Sequence, residues 1–385
     1  MDAQGAARQL DAQLRHWLIA TALPVWADAG FDRTHGCFHE RLTAAGPIAK
    51  DARRARVQAR QIYVFANAPA LGWRGDARAL VAAALEHFLA YYRRADGLFR
   101  ALCAADGTAL DERAFLYDQA FVLLALAESH KVLGPAAELS REAEALSGAL
   151  QRLLKHAGRG FDSGIPERLP LLANPHMHLL EAALAWCEIS TAPHWRELAG
   201  ELTELALASL IDVRSGALLE RFGSQWVPFS DDEGQQVEPG HLFEWAWLLQ
   251  RCPGARPRAA ALRLVQLGEI HGVHRGIAIN ALHSDLSVYD AEARLWPQTE
   301  RLKANARLAI AEPRFWPAAV EAAQGLMRYL TSAPPGLWRD RLTVRDTFVE
   351  EPAPATSFYH IVAAISELAA AVRQQAGGET GAVQP

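Results

Sequence analysis

The sequence is poor in sulfur, with 4 cysteines and 3 methionines among 385 residues. Cys37, Cys103, Cys187 and Cys252 lie far apart and form no CxxC. That spacing argues against a disulfide framework and reads as reduced, buried thiols in a cytoplasmic protein. No apolar run approaches the ~20 residues of a membrane span, and the polar start MDAQGAARQLDAQLRHW has no signal-peptide core. Basic runs are lacking apart from DARRARVQAR, and the net charge is −5, so nucleic acid is not an expected partner. Nothing resembles a βαβ unit with a glycine-rich phosphate loop.

Half of the residues are hydrophobic, and most of the chain reads as helix. DARALVAAALEHFLAYYRRA, LYDQAFVLLALAESHKVLG and WRELAGELTELALASLID carry apolar residues at three- and four-residue spacing and are rich in Ala and Leu. Strand signals are short: GCFHERLTAAGPIAKD and GALLERFGSQWVPFSDDEG read as small hairpins.

A period runs through these segments. Glycine followed by apolar residues recurs at Gly36, Gly97, Gly160, Gly216, Gly276 and Gly336, in steps of 61, 63, 56, 60 and 60 residues. After each comes a helix whose first turns carry a polar residue: Arg60, Asp118, His178, His241, Glu300 and His360, in steps of 58, 60, 63, 59 and 60. Such a unit holds two helices of four to five turns and a long loop. Outer helices are expected near 76–93, 194–211 and 312–333. Six units close most economically into a ring, an all-α (α/α)6 barrel over 1–385 with hairpin loops on one rim and a flexible tail over the last ten residues. An open solenoid is the alternative closure.

On that rim His178–Glu181 and His241–Glu244 repeat one offset, three residues along a helix face. A glutamate there would fix the histidine tautomer and leave one ring nitrogen facing the cup. His360 opens an otherwise apolar helix start. Burial would keep it neutral, as a general base requires. His176 and His178 are two apart and point to different faces of a helix, so they do not read as a metal pair. Arg60 is a donor fork for sugar or enediolate oxygens. Tyr117 and Asp118 open the second inner helix and are candidates to bind substrate. Asp118 with Glu300 or Glu244 also raises a glycosidase-like carboxylate pair. Trp245, Trp247, Trp296 and Trp338 could stack on sugar faces or fill the core.

RVQARQIYVFA, NPHMHLLEAALAW, EPGHLFEWAWLL, LWPQTERLKA and SFYHIVAAI together resemble the helix starts of the N-acylglucosamine 2-epimerase and D-mannose isomerase superfamily. The resemblance implies an (α/α)6 barrel and sugar chemistry at C1 and C2 without metal or redox cofactor. It assigns proton transfer at carbon to His360, acid–base work to His241 with Glu244 as its helix partner, and sugar-oxygen contacts to Arg60. His178 matches the aldose–ketose isomerase branch, and Glu300 a glutamate in the pocket. Glu181 and Trp296 join the expected substrate-binding residues. Some epimerases carry arginine three residues after the last histidine, where this chain has Ala363. The reading implied is a monomeric or homodimeric isomerase of free D-mannose and D-fructose, with D-lyxose as a further substrate. A 2-epimerase is the runner-up, and an (α/α)6 glycoside hydrolase is the alternative from another class.

Overall fold

A computed structural model of the protein describes residues 2–48, 50–232 and 234–380, with side chains as far as Gln375. Its helices are α1 (Ala3–Trp17), α2 (Leu23–Asp28), α3 (Ala55–Leu71), α4 (Ala77–Tyr92), α5 (Leu116–Leu133), α6 (Ala137–Leu153) and α7 (Ala173–Ile189). They continue as α8 (Pro193–Leu205), α9 (Pro239–Leu249), α10 (Ala255–His271), α11 (Leu295–Ala311), α12 (Trp316–Thr331) and α13 (Thr356–Thr380). Of the tail expected over the last ten residues, 376–380 form the end of α13, and 381–385 lie outside the described positions.

Helices α3, α5, α7, α9, α11 and α13 each pack on the next, and α13 packs back on α3, which closes the ring. This is an (α/α)6 barrel; the solenoid is not formed. The inner helices are buried nearly all round: every residue of α9 is buried, as are the first seven of α5 except Tyr117. A helix without a polar stripe needs cover on every side. The outer helices α4, α6, α8, α10 and α12 supply it, and α1 packs on α12 and α13 as the sixth. The N-terminal helix therefore completes the last unit. Trp26 stacks on Trp338 at 5.0 Å between centroids and donates from Nε1 to the Gly336 carbonyl, 3.1 Å. The expected outer helices lie at 77–92, 193–205 and 316–331.

A two-residue strand precedes each inner helix and pairs with a strand from another unit's loop. Arg53–Arg54 pairs with Leu102–Cys103, and Ala114–Phe115 with Gly164–Ile165. Leu171–Leu172 pairs with Arg221–Phe222, and Gln236–Val237 with Leu282–His283. Ala293–Arg294 pairs with Arg341–Leu342. Ala353–Pro354 pairs with Arg41–Leu42 of the first unit. A ring of short pairings thus caps the N-terminal ends of the inner helices. All six repeat glycines have positive φ, from 67° at Gly160 to 90° at Gly97. Only glycine enters that region freely, which explains the period seen in the sequence.

Candidate active site

Counting from the end of each of these strands gives a common frame for the six units. The sixth residue is Arg60, Phe121, His178, Phe243, Glu300 or His360. The fourth is Gln58, Gln119, His176, His241, Gln298 or Phe358. Asp118 and His241 therefore do not share the register of the other polar residues, as the sequence steps had suggested. In four units the fourth position is a structural clip. Gln58 accepts from the Phe38 N–H and donates to its carbonyl. Gln119 does the same at Phe99, and Gln298 at Ala278. His176 accepts from the Phe161 N–H with Nε2, 2.9 Å, and its Nδ1 lies 2.7 Å from the Leu172 carbonyl. His176 is thereby spent on structure, turned away from His178. In the fourth unit the clip position is His241, which faces the cup instead.

The cup holds a cavity of about 490 Å³. Its walls include Arg54, Arg56 and Arg60 from the first unit, Tyr117 from the second, and Asn174 and His178 from the third. Glu238, His241 and Glu244 come from the fourth, Arg294 and Trp296 from the fifth, and Thr356, Ser357 and His360 from the sixth, with Asp340 on the loop before it.

Two histidines flank one indole. The Trp296 ring lies 4.9 Å from that of His241 and 5.9 Å from that of His360, centroid to centroid. A Cβ at Gly240 would stand 2.3 Å from the Trp296 ring, so glycine there admits the indole beside His241. Trp296 is the expected stacking surface. Trp245 and Trp338 are buried in the core, and Trp247 lies beneath the floor, its ring 3.9 Å from Lys303 Nζ.

The histidines have opposite electrostatic settings. His360 Nδ1 is 2.8 Å from Glu300 Oε1. Burial, with Arg60 and Lys303 nearby, pushes its pKa well below the ordinary value, so it is neutral. His241 Nδ1 is 2.8 Å from Glu220 Oε1, and Glu238 stands at 4.0 Å. Burial alone would lower His241, but these carboxylates outweigh it and raise its pKa to about 10. The expected partner, Glu244, does not bond His241. The turn of α9 carries Glu244 to the floor, 3.9 Å from both His178 Nδ1 and Lys303 Nζ. There burial and the Glu300 charge raise its pKa well above the ordinary range.

His178 and Glu181 do pair, at 3.2 Å. Burial lowers His178 to about 3 against the pull of Glu181. Glu181, which also accepts from the Tyr359 hydroxyl, resists burial through His178 and Lys303 and falls to about 2. Arg60 donates to the Tyr117 hydroxyl, 2.7 Å, and to Thr356 Oγ1. Its guanidinium lies 4.2 Å over the Phe121 ring. Asp118, Glu181 and Glu300 were expected against substrate, yet none lines the cavity. Asp118 is fully buried behind Arg56, which donates to it at 3.1 Å. Glu300 lies beneath His360. The carboxylate pair of a glycosidase is accordingly not presented to the cavity.

Two trios, His178–Glu181–Glu244 and Glu244–Glu300–His360, each bring donor atoms within 4.8 Å of one another, a spacing a metal ion can use. Lys303 already places a cation among them. Its Nζ forms an ion pair with Glu300 Oε2 at 2.6 Å.

The family profile that the chain matches places it among the sugar epimerases and isomerases. The chain belongs to the N-acylglucosamine 2-epimerase (GlcNAc 2-epimerase) family, whose profile matches residues 36–364. A mannose-6-phosphate isomerase of Rhizobium meliloti (strain 1021) is 44% identical over 370 residues, 92% of this chain and 96% of its own. The fold matches a cellobiose 2-epimerase from Spirochaeta thermophila DSM 6192 with a TM-score of 0.87 at 21% identity, over 96% of this chain and 98% of that one. It matches a D-mannose isomerase with a TM-score of 0.85 at 19% identity, over 93% and 97%.

Proposed function

We propose that the protein is an aldose–ketose isomerase interconverting D-mannose and D-fructose through a cis-enediol. The observation that carries this reading is the pair His360 and His241, on either side of Trp296, with pKa values pushed in opposite directions. Such a split assigns base and acid. Neutral His360, its Nδ1 engaged by Glu300, has Nε2 free to take the proton from C2 of an open-chain aldose and return it to C1 on the same face. Protonated His241 gives a proton to the sugar oxygen and takes one back, which also serves ring opening. Arg60, fixed by Tyr117 and Thr356, offers positive charge to the oxygen that becomes negative in the enediolate. His178 is neutral and, with Nδ1–H engaged by Glu181, can accept from a hydroxyl at Nε2. General acid–base assistance contributes about 10²–10⁴-fold; alignment on Trp296 and the fixed charges supply the rest.

A second reading has its own support. Arg54, Arg56 and Arg294 join Arg60 in the cavity wall, and the relative of 44% identity is named a mannose-6-phosphate isomerase. A phosphoryl group on C6 would meet guanidinium forks at the mouth. Incubation with mannose, mannose 6-phosphate and N-acetylmannosamine, followed by NMR, separates the readings. Fructose from mannose supports the first and fructose 6-phosphate the second. A C2 epimer with no ketose would replace both with a 2-epimerase.

A further inference from the structure

Lys303 lies in the third turn of α11, fully buried, and does not reach the cavity wall. A buried ammonium is costly unless it is paired. Carboxylates meet it from three helices: Glu300 of α11 at 2.6 Å, Glu244 of α9 at 3.9 Å, and Glu181 of α7 within its field. The Trp247 ring closes the site from below. His178 and His360, from α7 and α13, and Tyr359, whose hydroxyl donates to Glu181, are further titratable groups in the cluster, and the Arg60 guanidinium is near both histidines. Two of these carboxylates are histidine partners: Glu300 holds His360 Nδ1 and Glu181 holds His178 Nδ1.

We propose that Lys303 is a positioning residue: its ammonium keeps Glu300 and Glu181 ionised as acceptors, and so fixes which nitrogen of His360 and of His178 faces the cavity. An ionised Glu300 accepts from Nδ1–H and leaves a lone pair on Nε2. A protonated Glu300 would donate to Nδ1, place the ring hydrogen on Nε2 and remove the base. The lysine touches no substrate, yet it sets the state of the group that does. Its role in the reaction rests on the reading of His360 as base; its effect on the tautomer does not.

The test is histidine ¹⁵N NMR on the full chain at neutral pH, with His360→Asn to assign the resonance. The wild type is expected to show a neutral His360 with hydrogen on Nδ1. Folded Lys303→Met is expected to show it on Nε2; an unchanged tautomer overturns the proposal. If Lys303→Met fails to fold, Lys303→Arg keeps the cation and is expected to keep hydrogen on Nδ1. A switch in that variant overturns the proposal equally. In turnover, Lys303→Met is expected to lose about 100-fold in kcat with KM within about threefold. The acid limb of kcat should move to higher pH, because Glu300 without its cation ionises later. A plain structural role would leave tautomer and pH profile alone. Absence of isomerase activity in the wild type would defeat the proposed function and leave the NMR result standing.

Discussion

Glu300 Oε1 lies 2.8 Å from His360 Nδ1, and the two residues hold the same place in consecutive units of the barrel. One unit thus supplies the proposed base and its neighbour the carboxylate beside it. Replacing His360 by alanine should remove about 10²–10⁴-fold of turnover. The cavity beside it is already open, so the fold should survive. Circular dichroism and exchange of the sugar C2 proton check both halves, and retained exchange would take His360 out of the base role.

The proposed acid, His241, is set differently, and pH reads it. His241 is raised to about 10, whereas His360 is neutral down to acid pH. Activity should therefore hold across neutral pH and fall on the basic side as His241 loses its proton near pH 10. Glu220→Gln removes the carboxylate at 2.8 Å. The basic limb of kcat/KM should then move to lower pH, toward the ordinary histidine range. The same sign governs stability: because the folded pKa of His241 lies above the unfolded one, the contribution of that histidine is full below about pH 6.5 and disappears through about pH 10. A basic limb that stays in place in Glu220→Gln contradicts the assignment.

The frame of the barrel was legible in the sequence because backbone geometry repeats. Each unit needs a left-handed turn, and glycine marks it at a nearly constant step. The histidine partners were harder to read. His178–Glu181 lies on one helix face and shows in the spacing. His241 and Glu244 have the same spacing, yet His241 meets Glu220 and Glu244 meets the buried lysine. A signal was available. The fourth residue after the repeat glycine is Glu40, Glu220, Asn280 or Asp340 in four units. Glu40 accepts from the Arg54 N–H and guanidinium, Glu220 pairs with His241, and Asp340 accepts from Ser357. Asn280 accepts from Arg294 at 3.4 Å. These loop residues reach the start of the next inner helix. Lys303 also carries a signal, three residues beyond Glu300, the offset of the His178 pair. Inside a run of helix formers it reads as an ordinary polar residue. Only closure of the ring shows that no solvent reaches it.

Closure itself can be probed at Gly336. With φ of 82°, it packs so that a Cβ would stand 2.8 Å from Val25 Cγ2 and 2.9 Å from the Thr21 carbonyl. Left-handed strain in a residue with a Cβ costs about 1–2 kcal/mol, and overpacking about 1–3 kcal/mol. Gly336→Ala should lower the urea midpoint accordingly, with kcat of the folded fraction unchanged. A midpoint equal to wild type would mean that the N-terminal helix does not lock the last unit.

The charge of the sugar is read at Arg294. Its side chain is 42% exposed, with Glu238 at 3.7 Å, so its donors are loosely held. If the substrate carries a phosphoryl group, Arg294→Gln should cost about 1.5–3 kcal/mol of binding, seen as a rise in KM of about tenfold or more for mannose 6-phosphate. KM for mannose should be little changed. Equal, small effects on both sugars would favour the uncharged substrate.

If His360 alone moves the proton between C2 and C1, the fate of a single hydrogen reveals it. Mannose carrying deuterium at C2 is converted in ordinary water and the products are followed by NMR. The account predicts fructose, with part of the deuterium carried to C1 and on one face only. A C2 epimer without ketose, with its deuterium lost to solvent, would contradict it.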